Sequence, residues 1–467
     1  MSTGQGSRAA GTADATALQG SRTGERLRPT PPGGPPDEVT RRQALTATLA
    51  SVVAWAFDLF DLFIILFVAS TIGPILFPTG NETLELAAVY ASFAVTLVMR
   101  PVGSALFGNY ADRHGRKRAM IIGVAGVGVV TSLMGLVPTY AAAGLLAPAL
   151  FLLLRLVQGV FVGGIVASTH TLGTETVPAK WRGLVSGLIG GGGAGLGAMV
   201  AAIFFLIVSS LFPGEAFSEW GWRVMFFTGA IGALLSFLIF RSVEESPLFT
   251  RLESEEKRPE ATPVRELFSP AYRTVFLLNL LVVAGGATMY YLTSGFLPTF
   301  LGKNVGMTPT DAAVVLIAAS AIVIVSACLG GHISEVVGRR RAFMAFGAVN
   351  VIALPLIYLQ MKDLQPGDMG AIIGWSLLLA FLANAGYAPI LVFLNERFPT
   401  RIRATGTAVS WNAGFAIGGM TPTLVTGLSP TVEDFPEVLA ITLAVASVVY
   451  LVGAAVVGET RGWFETP

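Results

Sequence analysis

Twelve long apolar stretches, each bounded by charged or turn-rich breaks, constrain this chain more than any other feature. They lie near residues 44-72, 84-107, 119-138, 143-172, 184-211, 222-242, 272-300, 310-333, 342-361, 369-393, 407-428 and 434-458. A hydrocarbon core of about 30 Å is crossed by about 20 residues of helix rising 1.5 Å each, so every stretch is long enough to span. Backbone amides have no water to bond to in lipid, which leaves helices or a closed barrel. Barrel strands would be short and would alternate apolar with polar residues, whereas these runs are continuously apolar. The sequence therefore predicts an all-α membrane protein with twelve transmembrane helices. Of the 467 residues, 53% are hydrophobic and 13% charged, which fits that class and no soluble one.

Net charge is +1, so no bulk electrostatic attraction for nucleic acid exists. The single cysteine, Cys328, lies in an apolar run and can form no intrachain disulfide. Residues 1-43 are rich in Gly, Pro, Ser, Thr and Arg and are expected to form a disordered tail. That tail has no apolar core followed by a small-residue cleavage site, so the first apolar stretch is expected to stay in the membrane.

Lysine and arginine in the short loops orient the chain. Arg113, Arg116, Lys117, Arg118, Lys180, Arg182, Arg339, Arg340, Arg341, Arg397, Arg401 and Arg403 follow the second, fourth, eighth and tenth stretches, against Arg223, Lys303 and Lys362 on the other side. Both termini and the even-numbered loops are thus expected in the cytoplasm of a cell with this protein in its inner (plasma) membrane. The longest internal connection, 243-271, is polar and divides the spans into bundles at 44-242 and 272-458, with a cytoplasmic tail at 459-467.

Repetition supports that division. Gly108-Asn109-Tyr110-Ala111-Asp112-Arg113-His114-Gly115-Arg116-Lys117-Arg118 recurs as Gly331-His332-Ile333-Ser334-Glu335-Val336-Val337-Gly338-Arg339-Arg340-Arg341, 223 residues later. Glu175, Pro178 and Arg182 recur as Glu396, Pro399 and Arg403 at an offset of 221. Two loops repeating at nearly one spacing describe a duplicated six-span unit, the plan of alternating-access carriers.

At residues 108-118 the sequence resembles the major facilitator superfamily, whose loop signature is G-x-x-x-D-R-x-G-R-[KR]. Met99-Arg100-Pro101 with Gly103, Arg155-Leu156-Val157-Gln158-Gly159 with Gly163-Gly164, Glu245-Ser246-Pro247, and Phe398-Pro399-Thr400-Arg401 with Arg403 and Gly406 look like its metabolite:proton symporter branch, and organic-acid and sialate carriers share several of these pieces. Ile165 stands where that branch carries an acid, and Trp55-Ala56-Phe57-Asp58-Leu59-Phe60-Asp61 replaces its Glu-Trp-Tyr-Asp. The resemblance implies two pseudo-symmetric six-helix bundles, a central cavity lined by the first, fourth, seventh and tenth spans, and loop charge pairs that close the cytoplasmic side. Asp112, Arg113, Arg116, Glu175, Arg182, Glu396 and Arg403 would form those pairs.

Ionisable groups at membrane depth cost at least about 2.5 kcal/mol each, so they default to functional candidates. Asp58 and Asp61, three residues apart, share one helix face. Two carboxylates so close in low dielectric cannot both ionise easily, so the pair is the expected proton site. Arg155 reaches a similar depth and can fork onto a substrate carboxylate or onto Asp61. Either that exchange links proton to substrate, or a permanent ion pair holds two helices together. Arg100 is expected nearer the cytoplasmic end, in a gating role within reach of Asp112. The second half offers Tyr290, Tyr291, Asn384 and Tyr387 as substrate contacts, with Trp411 and Asn412 also at depth and packing the competing role for each. His170 reads as a hydrogen-bonded packing group.

The Gly190-Gly191-Gly192-Gly193-Ala194-Gly195-Leu196-Gly197 run is no phosphate loop, since no strand precedes it and no Lys-Ser/Thr ends it; close helix packing accounts for it. No metal motif, catalytic triad or cofactor fingerprint is found, so no enzyme and no cofactor are expected. The sequence thus predicts a proton-coupled importer of a small organic anion, acting as a monomer in the bilayer. A carrier of a zwitterionic osmolyte such as betaine or proline, or of another neutral metabolite, is the competing expectation.

Overall fold

The first helix begins where Thr40 stops it from fraying: its hydroxyl accepts from Gln43 N at 3.2 Å and the Gln43 side chain returns a bond to Thr40 N at 2.8 Å. The computed structural model describes residues 40–80, 82–242, 244–246, 249–250, 263–307, 309–429 and 431–463. Residues 1–39 of the expected tail and 251–262 of the connection lie outside the described residues.

Twelve spans follow in order. They are Arg41–Leu76, Glu82–His114, Arg116–Met134, Leu146–Glu175, Ala179–Leu211, the pair Trp222–Phe227 and Ala230–Ser242, Arg273–Lys303, Pro309–Val337, Arg339–Met361, Met369–Arg397, the pair Arg403–Gly419 and Thr421–Leu428, and Phe435–Val456. Among the described residues ten are apolar and long enough to cross a membrane, the tenth with a turn at Ala388-Pro389 inside it. The sixth and eleventh are broken, the eleventh at Met420, two residues before a proline that can donate no backbone bond. The second span runs through the loop signature to His114, seven residues past its expected end at 107, because Asn109 to His114 continue the helix until Gly115 turns the chain at φ 102°. Gly338 makes the same turn at φ 101°, a conformation that a side chain would strain.

Within the first half the second span packs on the fourth, the third on the fourth and sixth, and the first on the fifth. The second half repeats this with the eighth on the tenth, the ninth on the twelfth and the seventh on the eleventh. The halves meet along two related seams, second against eleventh and fifth against eighth. The fifth–eighth seam is tight enough that a Cβ on Gly187 would lie 2.1 Å from the Ala327 carbonyl oxygen, and one on Gly331 2.1 Å from that of Gly183. The glycine run continues this close seam, with a π-helical segment at Leu188–Gly192. Leu106, Ile352, Ile441 and Val445 stand exposed on the outer helix faces, as lipid contact requires.

Candidate functional site

Two carboxylates and two guanidinia lie buried in the first half, and each acid has a different partner. Asp58 receives Arg100 NH2 at 3.4 Å, both side chains being under a tenth exposed. Asp61 accepts at Oδ1 from the Thr131 hydroxyl and at Oδ2 from Gln158 Nε2 at 2.7 Å. Gln158 Nε2 also reaches Thr131 Oγ1 at 2.8 Å, while its carbonyl oxygen accepts from Arg155 NH1. Arg155 and Asp61 therefore communicate through an amide. The fork of Arg155 directly onto Asp61 is replaced because Gln158, one turn along the same helix, fills the space between them. Both guanidinia retain a buried Nε with no acceptor among the described residues.

Arg100 corrects a sequence expectation. Its side chain pairs with Asp58 and not with Asp112, because twelve residues of helix separate Arg100 from Asp112, about 18 Å.

Opposite stands an aromatic wall from the second half. Tyr290 stacks on Tyr387 at 5.3 Å between centroids, Trp411 stacks on Phe415 at 4.3 Å, and Tyr291 meets Phe415 edge-on at 5.7 Å. Trp55 of the first span touches Trp411 edge-on at 5.8 Å and so joins this wall to the first half. Tyr290, Tyr291 and Tyr387 lie within electrostatic range of Asp58 and Arg100. Asn384 donates to Ala380 O at 2.8 Å and Ser294 Oγ at 3.3 Å, leaving its Oδ1 buried without a partner among the described residues. An apolar cleft lined by Phe63, Phe67, Met199, Tyr290, Leu297 and Leu316 continues from this wall.

The loop-signature face is closed. Asp112 bonds Arg116 at 3.0 Å and accepts from the backbone of Ala404 and Thr405 at 3.2 and 2.9 Å, capping the eleventh span of the other half. Reciprocally, Glu335 accepts from Gly183 N at 2.9 Å at the start of the fifth span. Buried acid oxygens on helix N-termini satisfy otherwise orphaned amides. Arg116 also reaches Thr400 O across the seam at 2.8 Å.

Behind these caps, each half holds the same clamp. Arg116 meets Glu175 at 3.5 Å, Glu175 accepts from the Ser246 hydroxyl, and Glu245 caps Arg116 N at 2.9 Å. In the second half Arg339 meets Glu396 at 2.9 Å, Glu396 accepts from Thr460 at 2.8 Å, and Glu459 caps Arg339 N at 2.8 Å. Residues 459 and 460 thus dock as the counterpart of Glu245-Ser246. Glu175 alone of the two clamp acids takes an arginine from the opposite half, Arg403, at 2.8 Å. Arg182 is buried beside this closure, and Arg113 is exposed at the end of the second span. His170 accepts from Asn395 Nδ2 at 3.0 Å and bonds Ser186 Oγ at 2.9 Å through its other nitrogen.

Sequence reading missed Thr131, Gln158, Phe415, Asn395, Ser186 and the Glu459-Thr460 clamp. Gln158 sits inside a quoted motif three residues after Arg155, a helical spacing that could have flagged it; Thr131 and Phe415 give no local signal.

The Major Facilitator Superfamily model matches residues 59–422. The chain is 28% identical over 434 residues to the proline/betaine transporter of Salmonella typhimurium strain LT2, covering 91% of this chain and 85% of that one. It is 28% identical over 380 residues to the alpha-ketoglutarate permease of Escherichia coli K12, covering 80% and 83%. Its backbone is similar to that of the proton:xylose symporter XylE, with a TM-score of 0.73 at 18% identity, covering 90% of this chain and 97% of that one.

Proposed function

Since the chain belongs to the major facilitator superfamily and is a membrane transporter of a small substrate, we propose that it is a proton-coupled symporter that imports a small organic acid by alternating access. One observation carries this reading: a buried set of two acids and two arginines faces a wall of neutral aromatic side chains. With both acids ionised, that set is electrically balanced. One proton on Asp58 or Asp61 leaves one guanidinium in excess, which is the charge a monocarboxylate needs. Proton and anion then enter as a neutral sum, and neither is held well without the other.

In this cycle Asp58 and Asp61 take the proton, Arg155 holds the carboxylate, and Tyr290, Tyr291, Asn384 and Tyr387 contact the rest of the substrate. Asp112, Arg113, Arg116, Glu175, Arg182, Glu396 and Arg403 close the signature face, which the loop lysines and arginines assign to the cytoplasm together with both termini. The bundles at 44-242 and 272-458 rock about the seams between them. Arg100, as the partner of Asp58, belongs with the proton site and reaches the gate through its helix.

A second reading is favoured by the aromatic wall and by the similarity to a proline/betaine transporter. Aromatic faces attract a quaternary ammonium by about 0.5–2 kcal/mol each, and a guanidinium would take the carboxylate of the same zwitterion. Reconstitution in liposomes loaded with a pH-sensitive dye separates the two. Proton entry driven by one of a panel of mono-, di- and hydroxy-carboxylates, and lost in Asp61→Asn and Arg155→Ala, supports the organic-acid symporter. Proton entry with betaine or proline alone supports the second reading, and acid-driven flux unchanged in both variants refutes the site assignment.

A further inference from the structure

We propose that Gln158 is the positioning residue that couples protonation to anion binding, its amide rotating between two arrangements; this rests on the symporter reading. Arg155 can only donate hydrogen bonds, so the amide oxygen must face it. That leaves Nε2 for Asp61 at 2.7 Å and for Thr131 Oγ1 at 2.8 Å. The Thr131 hydroxyl donates to the other oxygen of Asp61. All four side chains are buried, Gln158 and Thr131 completely. The chain runs one way, from Arg155 to Gln158 to Asp61, and its only anion is the Asp61 carboxylate.

A proton that enters with the symported anion and binds Asp61 at Oδ2, the oxygen that faces Gln158, forms an O–H bond there and makes that oxygen a donor. Two donors, Thr131 and Gln158, already point at Asp61, so one contact must give way. Rotating the amide about its last bond presents the carbonyl oxygen to the new O–H group. The same rotation turns the NH2 group towards Arg155, where donor meets donor and the bond is lost. Arg155 then offers the end-on edge of its guanidinium, the released NH1 beside NH2, whose two N–H groups match the two oxygens of a carboxylate. Loss of the proton reverses each step and expels the anion.

The other charged or titratable groups around Asp61 are Asp58 on its own helix, Arg100 on the second span and Arg155 on the fourth, with Thr131 facing from the third. Tyr290, Tyr291 and Tyr387 face Asp58 and Arg100 from the second half. The Asp58–Arg100 pair has no amide between its members, so the rotation concerns Asp61 alone.

The test measures two activities of the full chain in liposomes: dye-reported proton entry driven by a panel of carboxylates, and counterflow of a labelled carboxylate at equal pH on both sides. Gln158→Leu removes the relay without adding charge. Proton entry is expected to fall about tenfold or more while counterflow stays within about threefold, since binding no longer waits on the amide. Gln158→Glu keeps the shape but holds Arg155 whenever it is ionised, so its counterflow should rise as pH falls, along a profile displaced from that of the wild type. Equal losses of both activities in Gln158→Leu, or a Gln158→Glu profile superimposable on the wild type, overturn the relay. No proton entry with any carboxylate in the wild type instead overturns the symporter reading beneath it.

Discussion

Replacing Glu175 by glutamine should open the signature face, and the structure says by how much. Glu175 is fully buried and accepts from Arg403 at 2.8 Å, Arg116 at 3.5 Å and the Ser246 hydroxyl. Arg116 and Ser246 belong to its own half or to the chain leaving it, so those bonds can persist on opening. The bond to Arg403 crosses the seam and breaks. A hydrogen bond between charged groups contributes about 1.5–3 kcal/mol, which converts to a roughly 10- to 150-fold shift from closed to open. The shift can be read by labelling. In a Cys328→Ser background, Ala404→Cys places a thiol at a buried position at the eleventh-span N-terminus, beside Asp112. Its reaction rate with a hydrophilic maleimide should rise at least about tenfold on adding Glu175→Gln. Glu396→Gln supplies the internal control, because Arg339 and Thr460 both lie in its own half, and it should change the rate less than about threefold. Equal acceleration by both variants, or none by Glu175→Gln, refutes the assignment of the cross-seam bond as a latch.

Three further outcomes follow from the same geometry. Asp112→Asn keeps an acceptor for only one of Ala404 N and Thr405 N and loses the charge at that helix N-terminus, the charge alone being about 1 kcal/mol, so labelling should rise at least about fivefold. Gly331→Ala puts a carbon 2.1 Å from the Gly183 oxygen, so the face cannot fully close; labelling should reach or exceed that of Glu175→Gln, and transport should fall about tenfold or more. Thr460→Val removes the donor to Glu396 at 2.8 Å, about 1 kcal/mol, and should lower the melting temperature by about 1–2 °C in a thermal-shift assay without changing the labelling rate.

The spans were legible in sequence because lipid demands unbroken apolar runs, and the duplication was legible because two loops repeat at nearly one offset. The breaks near Gly229 and Met420 were not, since a kinked helix stays as apolar as a straight one. Asp58 and Asp61 stood out because charge is scarce at depth, yet their partners did not. Thr131 and Gln158 are ordinary residues in apolar helices, and only the approach of the third and fourth spans to the first makes them donors to Asp61. Sequence symmetry also hid an asymmetry of pairing. Glu175 and Glu396 occupy equivalent positions, but Arg403 reaches across to Glu175 because the eleventh span starts against the end of the second.

The proposed proton site and the gate are joined by hydrogen bonds through the second span. Arg100 pairs with Asp58, and its own carbonyl accepts from the Ser104 hydroxyl at 2.9 Å. Ser104 in turn accepts from Asn412 Nδ2 of the eleventh span at 2.7 Å, two turns from Ala404, where Asp112 caps the same helix. Contiguity alone does not establish coupling; the span must have two arrangements that both sites bias. The second–eleventh seam offers them, because the bonds at Asp112 and Ser104 cross between halves and must break together when the halves part. Protonation of Asp58 would weaken its hold on Arg100 at one point of the second span while the gate tests the same span about three turns away. Asn412→Leu cuts the crossing bond without touching either charge. If the span carries the coupling, that variant should still bind substrate yet lose the dependence of Ala404→Cys labelling on added carboxylate. If labelling still responds to the carboxylate as in the parent, the coupling runs elsewhere.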